Sequence, residues 1–270
     1  MRLIQILKNI ASKKAVLLIF IILLGIMLRV IRALEMNRYD VDCYLYFNMA
    51  INWAKYGVDY MYTAGSNIIP PLLPFLMCLG YKFGIQPEIT GTFLGILLGS
   101  LIPLCMFYIV NILFKKPDLA LLAAFLGAVH PSLVRISVRC LRDSLYIPLV
   151  AVALLCAVAA INHKSVFKWC LFSLTATLAS FTRYEGPELI LIFLIWFFVE
   201  IIINLISKFK NLSTTNRQLS TVANIKYYCY SLFTVLIIFS ALNLCMSYSL
   251  SQTKYINPFY QMIRSSITPD

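Results

Sequence analysis

Charge is scarce in this sequence, and negative charge is scarcer still. Only 13% of the 270 residues are charged, with eleven Asp and Glu against twenty-three Lys and Arg. So little ionisable surface excludes an ordinary soluble globule. With 61% hydrophobic residues and a mean hydropathy of +0.83, the composition is that of an integral membrane protein. Its excess of +12 is no sign of a nucleic-acid partner, because in a membrane chain basic residues sort loops to the cytoplasm. The eight cysteines include no CxxC pair, and no paired His spacing occurs, so neither a zinc site nor a disulfide framework is indicated. Cys43 and Cys140 stand apart only because both fall outside the membrane on one side. There is no internal repeat and no low-complexity tract. No small-x-small cleavage site follows the first apolar run, so the N-terminus reads as an uncleaved span, with Lys13 and Lys14 holding it in the cytoplasm.

What is present is a series of apolar runs. A hydrocarbon core about 30 Å thick needs about 20 helical residues. Residues 15–34, 89–114, 144–162, 187–206 and 227–249 meet that length, and 119–134 and 167–182 approach it. The expected architecture is an all-α membrane module of about seven transmembrane helices, residues 1–270, with a first outer loop over 35–88. Within that loop, 70–84 is opened by three prolines and is too short to cross, so it reads as a surface or re-entrant helix. This topology makes the loops with Lys115 and Lys116, with Lys164 and Lys168, and with Lys208, Lys210, Arg217 and Lys226 cytoplasmic. Asp40, Asp42, Asp59, Glu88, Asp143 and Glu185 then lie outside, and Asp118 is the one cytoplasmic-loop acid. The triplet Asn211-Leu212-Ser213 falls in a cytoplasmic loop, where it would go unglycosylated. One stretch, 130–143, runs against the charge rule by putting Arg135, Arg139 and Arg142 outside.

Three outer stretches carry the polar residues a reaction would need. In 38–57, Asp40 and Asp42 precede an amphipathic helix with Asn48, Asn52 and Lys55 on one face and Tyr44, Phe47, Ile51 and Ala54 on another. A helix N-cap accounts for one Asp; two acids leaving the membrane together point to a functional role for at least one. In 135–143, Arg135, Arg139 and Arg142 recur at i, i+4 and i+7. They are read either as an Arg139–Asp143 ion pair with snorkelling neighbours or as a phosphate site of guanidinium forks. In 181–189, Arg183 and Glu185 precede the helix-breaking Gly186-Pro187. Acids, arginines and aromatics on one side suit a carboxylate that deprotonates an acceptor hydroxyl while arginines stabilise a departing phosphate.

The ordered series "DCYLYFNMAINWAKYG", "PPLLPFL", "ILFKKPDLALLAAFLGAVHPSLV", "RCLRDSLY" and "LASFTRYEG" resembles membrane glycosyltransferases of the C fold, the superfamily of protein O-mannosyltransferases and aminoarabinose transferases. The resemblance implies an inverting transferase that moves a sugar from a polyprenyl-phosphate carrier to a hydroxyl on a lipid, glycan or protein, on the extracytoplasmic side. It implies Asp42 as the catalytic acid of the first loop, with Asp40 as second candidate. Asp143 becomes the second-loop acid and Arg183 the group near the lipid phosphate, supported by Arg142 and Arg139; Glu185 and Tyr44 complete the substrate-binding candidates. No cofactor is required, though Asp40, Asp42 and Asp143 are candidates to gather around a divalent cation. Relatives often carry an acid where Cys43 stands, and usually continue into further spans. The acceptor-binding part is therefore expected to be missing, or to come from a partner subunit or a second copy. The competing expectation is a non-catalytic subunit of the same fold; a small transporter fits least, since Glu188 and Glu200 are the only acids placed within a span.

Overall fold

A chain inside a bilayer must satisfy its backbone hydrogen bonds within itself, which for apolar runs like these leaves the α-helix. The computed structural model describes the backbone of residues 2–36, 38–60, 69–210 and 215–249, with side chains described within 13–36, 38–58, 60, 69–206 and 224–245. Asp59 and the triplet at Asn211 lie outside the described side chains. Among the described residues every regular element is helical and no strand occurs.

The elements are α1 (Arg2–Leu34), α2 (Val41–Tyr56), α3 (Leu72–Lys82), α4 (Pro87–Gly99), α5 (Ile102–Phe114), α6 (Pro117–Val129), α7 (Pro131–Val138), α8 (Arg142–His163), α9 (Val166–Ser180), α10 (Gly186–Lys210) and α11 (Thr215–Ser249). Prolines set several boundaries. Pro103 sits in the first turn of α5 and divides 89–114 into α4 and α5, because it donates no N–H and crowds the preceding turn. Together the two halves still form a continuous stretch long enough to cross. Pro131 opens α7 and bends it by 50° from α6.

All seven expected segments are helical. By length and apolar character, five crossings are supported among the described residues, or six with the bent α6–α7 pair. The remaining segment, α9, has 15 residues, short of the roughly 20 a full crossing takes. The expected surface or re-entrant helix appears as α3, whose 11 residues rise only about 16 Å. It buries Leu73, Met77 and Cys78 against α2 and α4, and the Leu72 N–H donates to the Phe181 carbonyl at 3.0 Å. The segment between α1 and α4 is thereby tied to the turn between α9 and α10.

Without water to expel, helices in a membrane associate through close packing and internal polar contacts. α9 is seated that way: Trp169 and Phe172 are fully buried against Phe193 and Phe197 of α10. The Trp169 indole N–H donates to Tyr227 Oη of α11 at 2.8 Å, and that hydroxyl donates to the Ala160 carbonyl of α8 at 2.8 Å. At the other end of the chain, α4 carries Gly91, Gly95 and Gly99 at successive turns, all buried. A Cβ at Gly95 would strike the Ser137 backbone carbonyl, and one at Gly99 would meet Ser137 Cβ at 2.9 Å and Arg29 Nε at 3.1 Å. This glycine edge lets α7 lie against α4 and α1 at backbone distance.

Helix ends show which loops share a side. The C-terminal end of α1, the N-terminal ends of α8 and α10 and the C-terminal end of α9 all reach one region, where Asp40, Arg139, Asp143 and Arg183 meet. Lys14, ion-paired with Asp118 at 2.7 Å, and Lys164, bonded to Asn224 Oδ1 at 2.6 Å, lie at the far ends of α1 and α8.

Candidate active site

The first group of polar residues is built by α2. Asp40 holds the N-cap position with extended backbone (φ −67°, ψ 156°), but its side chain makes no capping bond. Its carboxylate instead lies 3.7 Å from Arg139 Nε. Asp42, in the first turn of α2, is exposed and has no ion-pair partner among the described residues; the positive end of the helix dipole favours its charge there. The buried residues of α2 are Cys43, Tyr46, Phe47, Met49 and Ala50, rotated from the face expected from sequence. Tyr44 is consequently 53% exposed, edge-on to Phe47 at 5.8 Å.

The second group is set by a break in the chain. α7 stops at Val138, and Cys140 adopts a left-handed φ of 50°. Two buried thiols hold this kink: Cys43 Sγ donates to the Arg139 carbonyl at 2.9 Å, and Cys140 Sγ lies 3.2 Å from Thr92 Oγ1. Burial pushes the Cys43 thiol up to about 11 and the Cys140 thiol up to about 12, so both stay protonated near neutral pH. The kink separates Arg142 from the common helical face expected for Arg135, Arg139 and Arg142. Arg135 and Arg139 line one pocket, with Arg139 facing Asp40, whereas Arg142 lies toward Tyr46, Tyr184 and Glu185. Nor does the local Arg139–Asp143 pair form, since each partner is taken by a residue distant in sequence.

The third group is the turn after α9. Arg183 pairs with Asp143 at the start of α8, and its Nε and Nη2 form a fork on Glu185 at 3.1 and 2.8 Å. Its guanidinium also lies over the Tyr146 ring, 5.7 Å from the centroid. The hydrogen bonds from Arg183 hold the Glu185 carboxyl below its usual range, with Arg183 and Arg142 adding charge attraction. Because the folded value is the depressed one, this pair stabilises the protein fully above the ordinary carboxylate pKa and loses that contribution as pH falls through the folded value. The Glu185 side chain is 47% exposed, so screening limits the effect to about 0.2–1 kcal/mol. The melting temperature of wild type should exceed that of Glu185→Gln at pH 7, and the gap should close as the solution is acidified below about pH 4. A gap independent of pH would show that the fork carries no such linkage. Beside this turn, Tyr184 Oη is buried without a hydrogen-bond partner among the described residues, and burial lifts its phenol to about 12.

The residues singled out by sequence thus meet at one end of the bundle as two arginine–carboxylate sets, Asp40 with Arg139 and Asp143 with Arg183 and Glu185. Arg142 and Tyr46 lie between them. Among the described residues no three of His, Cys, Asp and Glu come together in a metal-holding group. Of the acids considered as cation ligands, Asp40 and Asp143 are each engaged by a guanidinium.

Two features escaped the reading of the sequence. Arg29, in the midst of the first apolar run, is fully buried. It donates to the Gly25 carbonyl at 2.9 Å, to the Ala128 carbonyl at 3.4 Å and to Ser137 Oγ at 3.2 Å, while its Nη2 has no partner among the described residues. It fastens α1 to the last turn of α6 and to α7, and a lone Arg within a span was the signal available. The second is the Gly91-Gly95-Gly99 edge, whose four-residue spacing is the known mark of close helix approach in membranes.

No curated protein matches the sequence significantly. The sequence does match a family over residues 69–242, more than half of the chain. The matched stretch takes in Arg139, Arg142, Asp143, Arg183 and Glu185 and begins after Asp40, Asp42 and Tyr44. With a helical membrane architecture and arginine–carboxylate sets at one end of the bundle, the chain belongs to the family of dolichyl-phosphate-mannose-protein mannosyltransferases, membrane glycosyltransferases of the C-fold type.

Proposed function

We propose that this protein is an inverting glycosyltransferase that takes a sugar from a polyprenyl-phosphate carrier and adds it to a hydroxyl of a lipid, glycan or protein acceptor, on the extracytoplasmic side. The observation that carries the proposal is the meeting of Asp40, Asp42, Arg139, Arg142, Asp143 and Arg183, from three separate loops, at one end of the bundle. The opposite ends of α1 and α8 carry Lys14 and Lys164, which by the positive-inside bias favours a cytoplasmic N-terminus and a site on the far face. The closed alternation of helix ends favours seven crossings, with α9 as a short one.

In this reading Asp42 is the base. It takes the proton of the acceptor hydroxyl, the acceptor oxygen attacks the anomeric carbon, and the bond from that carbon to the phosphate oxygen breaks with its electron pair left on the carrier phosphate. Attack opposite the leaving group inverts the anomeric centre. Asp42 suits the role because, among the described residues, it alone of the three aspartates has no guanidinium partner. Asp40, through Arg139, holds the α7–α8 loop to the start of α2, and Asp143, through Arg183, holds the α9–α10 turn to the start of α8, fixing distances that transfer depends on. Tyr44, exposed one turn edge away, and Glu185 line the approach.

A second reading, a non-catalytic subunit retaining the fold, is favoured by one fact: the family match begins beyond Asp40 and Asp42. One preparation decides between them. Purified protein supplied with polyprenyl-phosphate mannose and a hydroxyl acceptor should release polyprenyl phosphate and form an inverted glycoside. Absence of transfer by the chain alone, with a stoichiometric partner that restores it, would favour the subunit.

A further inference from the structure

The turn at Arg183 is poorly charged for the role the resemblance gives it. Arg183 is engaged there by two carboxylates, Asp143 and Glu185, and Arg142 also acts on Glu185, so the charges at the turn already balance and no unpaired guanidinium is left for a phosphate. A better-matched place lies between the outer end of α1 and α7. A cavity of about 560 Å³ has an apolar floor of Leu28, Ile31, Val129 and Val134 and a polar rim of Arg32, Glu35 and Arg135. It continues into a smaller pocket of about 170 Å³ that adds Arg38, Asp40 and Arg139.

Charge in this groove is unbalanced. Glu35 is paired with Arg32 at 3.2 Å and Asp40 with Arg139 at 3.7 Å. Arg38 and Arg135 are exposed, and neither has a carboxylate partner among the described residues. Ser132, in the first turn of α7, stands on the cavity wall. The layering matters as much as the charge. The apolar floor belongs to the membrane-spanning part of α1 and to α6 and α7, and Ile31 is 44% exposed beside the outward-facing Met27 and Val30, so the groove opens toward lipid. Apolar below and cationic above is the profile of a lipid that ends in phosphate.

Resting on the function proposed above, we infer that this groove, with Arg38 and Arg135 at its polar end, holds the phosphate of the carrier lipid, and that Arg183 does not. A sugar-carrying phosphodiester bears one negative charge. When the bond to the sugar breaks, the phosphate keeps the electron pair and becomes a monoester with close to two charges at neutral pH. Two unpaired guanidinium forks match that developing charge, which is where stabilisation accelerates transfer. Asp40 marks the boundary of the groove, two residues from the proposed base.

The test is binding of a polyprenyl phosphate to the purified full-length chain in nanodiscs of neutral lipid, alongside its transfer activity. The probes are the polyprenyl phosphate, the corresponding polyprenol lacking phosphate, and phosphatidylglycerol as competitor. Arg38→Gln combined with Arg135→Gln should weaken carrier binding at least tenfold, and Arg183→Gln should change it less than twofold. Both groove arginines are exposed, so unchanged melting temperatures will show that the fold is kept, and Arg135→Lys should fall between wild type and Arg135→Gln. Polyprenol should bind the wild type and the double variant alike. Equal carrier binding by wild type and the double variant, or loss of binding with Arg183→Gln, would overturn the inference and leave the enzyme reading intact. Displacement of the carrier by phosphatidylglycerol at equal mole fraction would overturn it in favour of a general anionic-lipid site. Wild type that binds no polyprenyl phosphate would overturn the donor reading and this inference with it. Loss of binding in the double variant, with no transfer by any form, would uphold the groove and sink the enzyme reading.

Discussion

Asp42→Asn is expected to lower kcat for sugar transfer by about 10²–10⁴-fold, the range a positioned general base supplies, while leaving KM for the carrier nearly unchanged. The side chain is exposed and unpaired, so its amide replacement disturbs no ion pair, and the melting temperature should match that of wild type. Asp40→Asn separates the two acids of the first loop. It frees Arg139 at the edge of the groove and should leave carrier binding at least as strong as in wild type, without the same isolated fall in kcat. The assay is single-turnover transfer from polyprenyl-phosphate mannose at saturating carrier. Full turnover by Asp42→Asn would remove this residue from the chemistry, and a kcat fall confined to Asp40→Asn would move the base to position 40.

The second large effect lies away from any charged group. Gly95→Val is expected to destabilise the fold by about 1–3 kcal/mol and to abolish carrier-dependent transfer. The new Cβ would strike the backbone carbonyl of Ser137, with Ser144 Cβ at 3.3 Å on its other side. A backbone group has no rotamer to turn away, so α7 itself must move, which puts the cost at the upper end of what overpacking produces. Ser137 stands between Arg135 and Arg139, and it accepts the Arg29 Nε–H, so displacement of α7 shifts the groove arginine Arg135 and the contact that anchors α1. Gly91→Ala provides the comparison. Its nearest neighbours are the flexible end of Met77 and Cys140 Sγ at 3.0 Å, which can give way, so its melting temperature should fall less. Melting in detergent followed by transfer assays would decide the matter. Equal stability of Gly95→Val and wild type would mean that α4 and α7 are not held at backbone distance.

Much of this protein was legible from composition and pattern. Scarce charge and long apolar runs determine a helical membrane chain, because a bilayer leaves backbone groups no other partner. Pro70, Pro71 and Pro74 mark the short α3, and each of the seven apolar segments is helical. The three stretches with Asp40 and Asp42, with Arg139 to Asp143, and with Arg183 and Glu185 were identifiable as the reactive candidates, since charged residues at the edge of a membrane stand out against an apolar background. Pairing was not legible. Spacing offered Arg139 to Asp143 and a common helical face for three arginines, whereas a left-handed Cys140, buried between Thr92 and α2, parts Arg142 from the other two and leaves Arg139 facing Asp40. Arg183 finds Asp143 forty residues away only because Leu72 and the α9–α10 turn close the loops together. The faces of α2 and the burial of Arg29 likewise depended on what packs beside them. Local sequence determines which segments become helices and where they stop; which guanidinium faces which carboxylate is decided by contacts between segments distant in sequence, and these exist only once the bundle has closed.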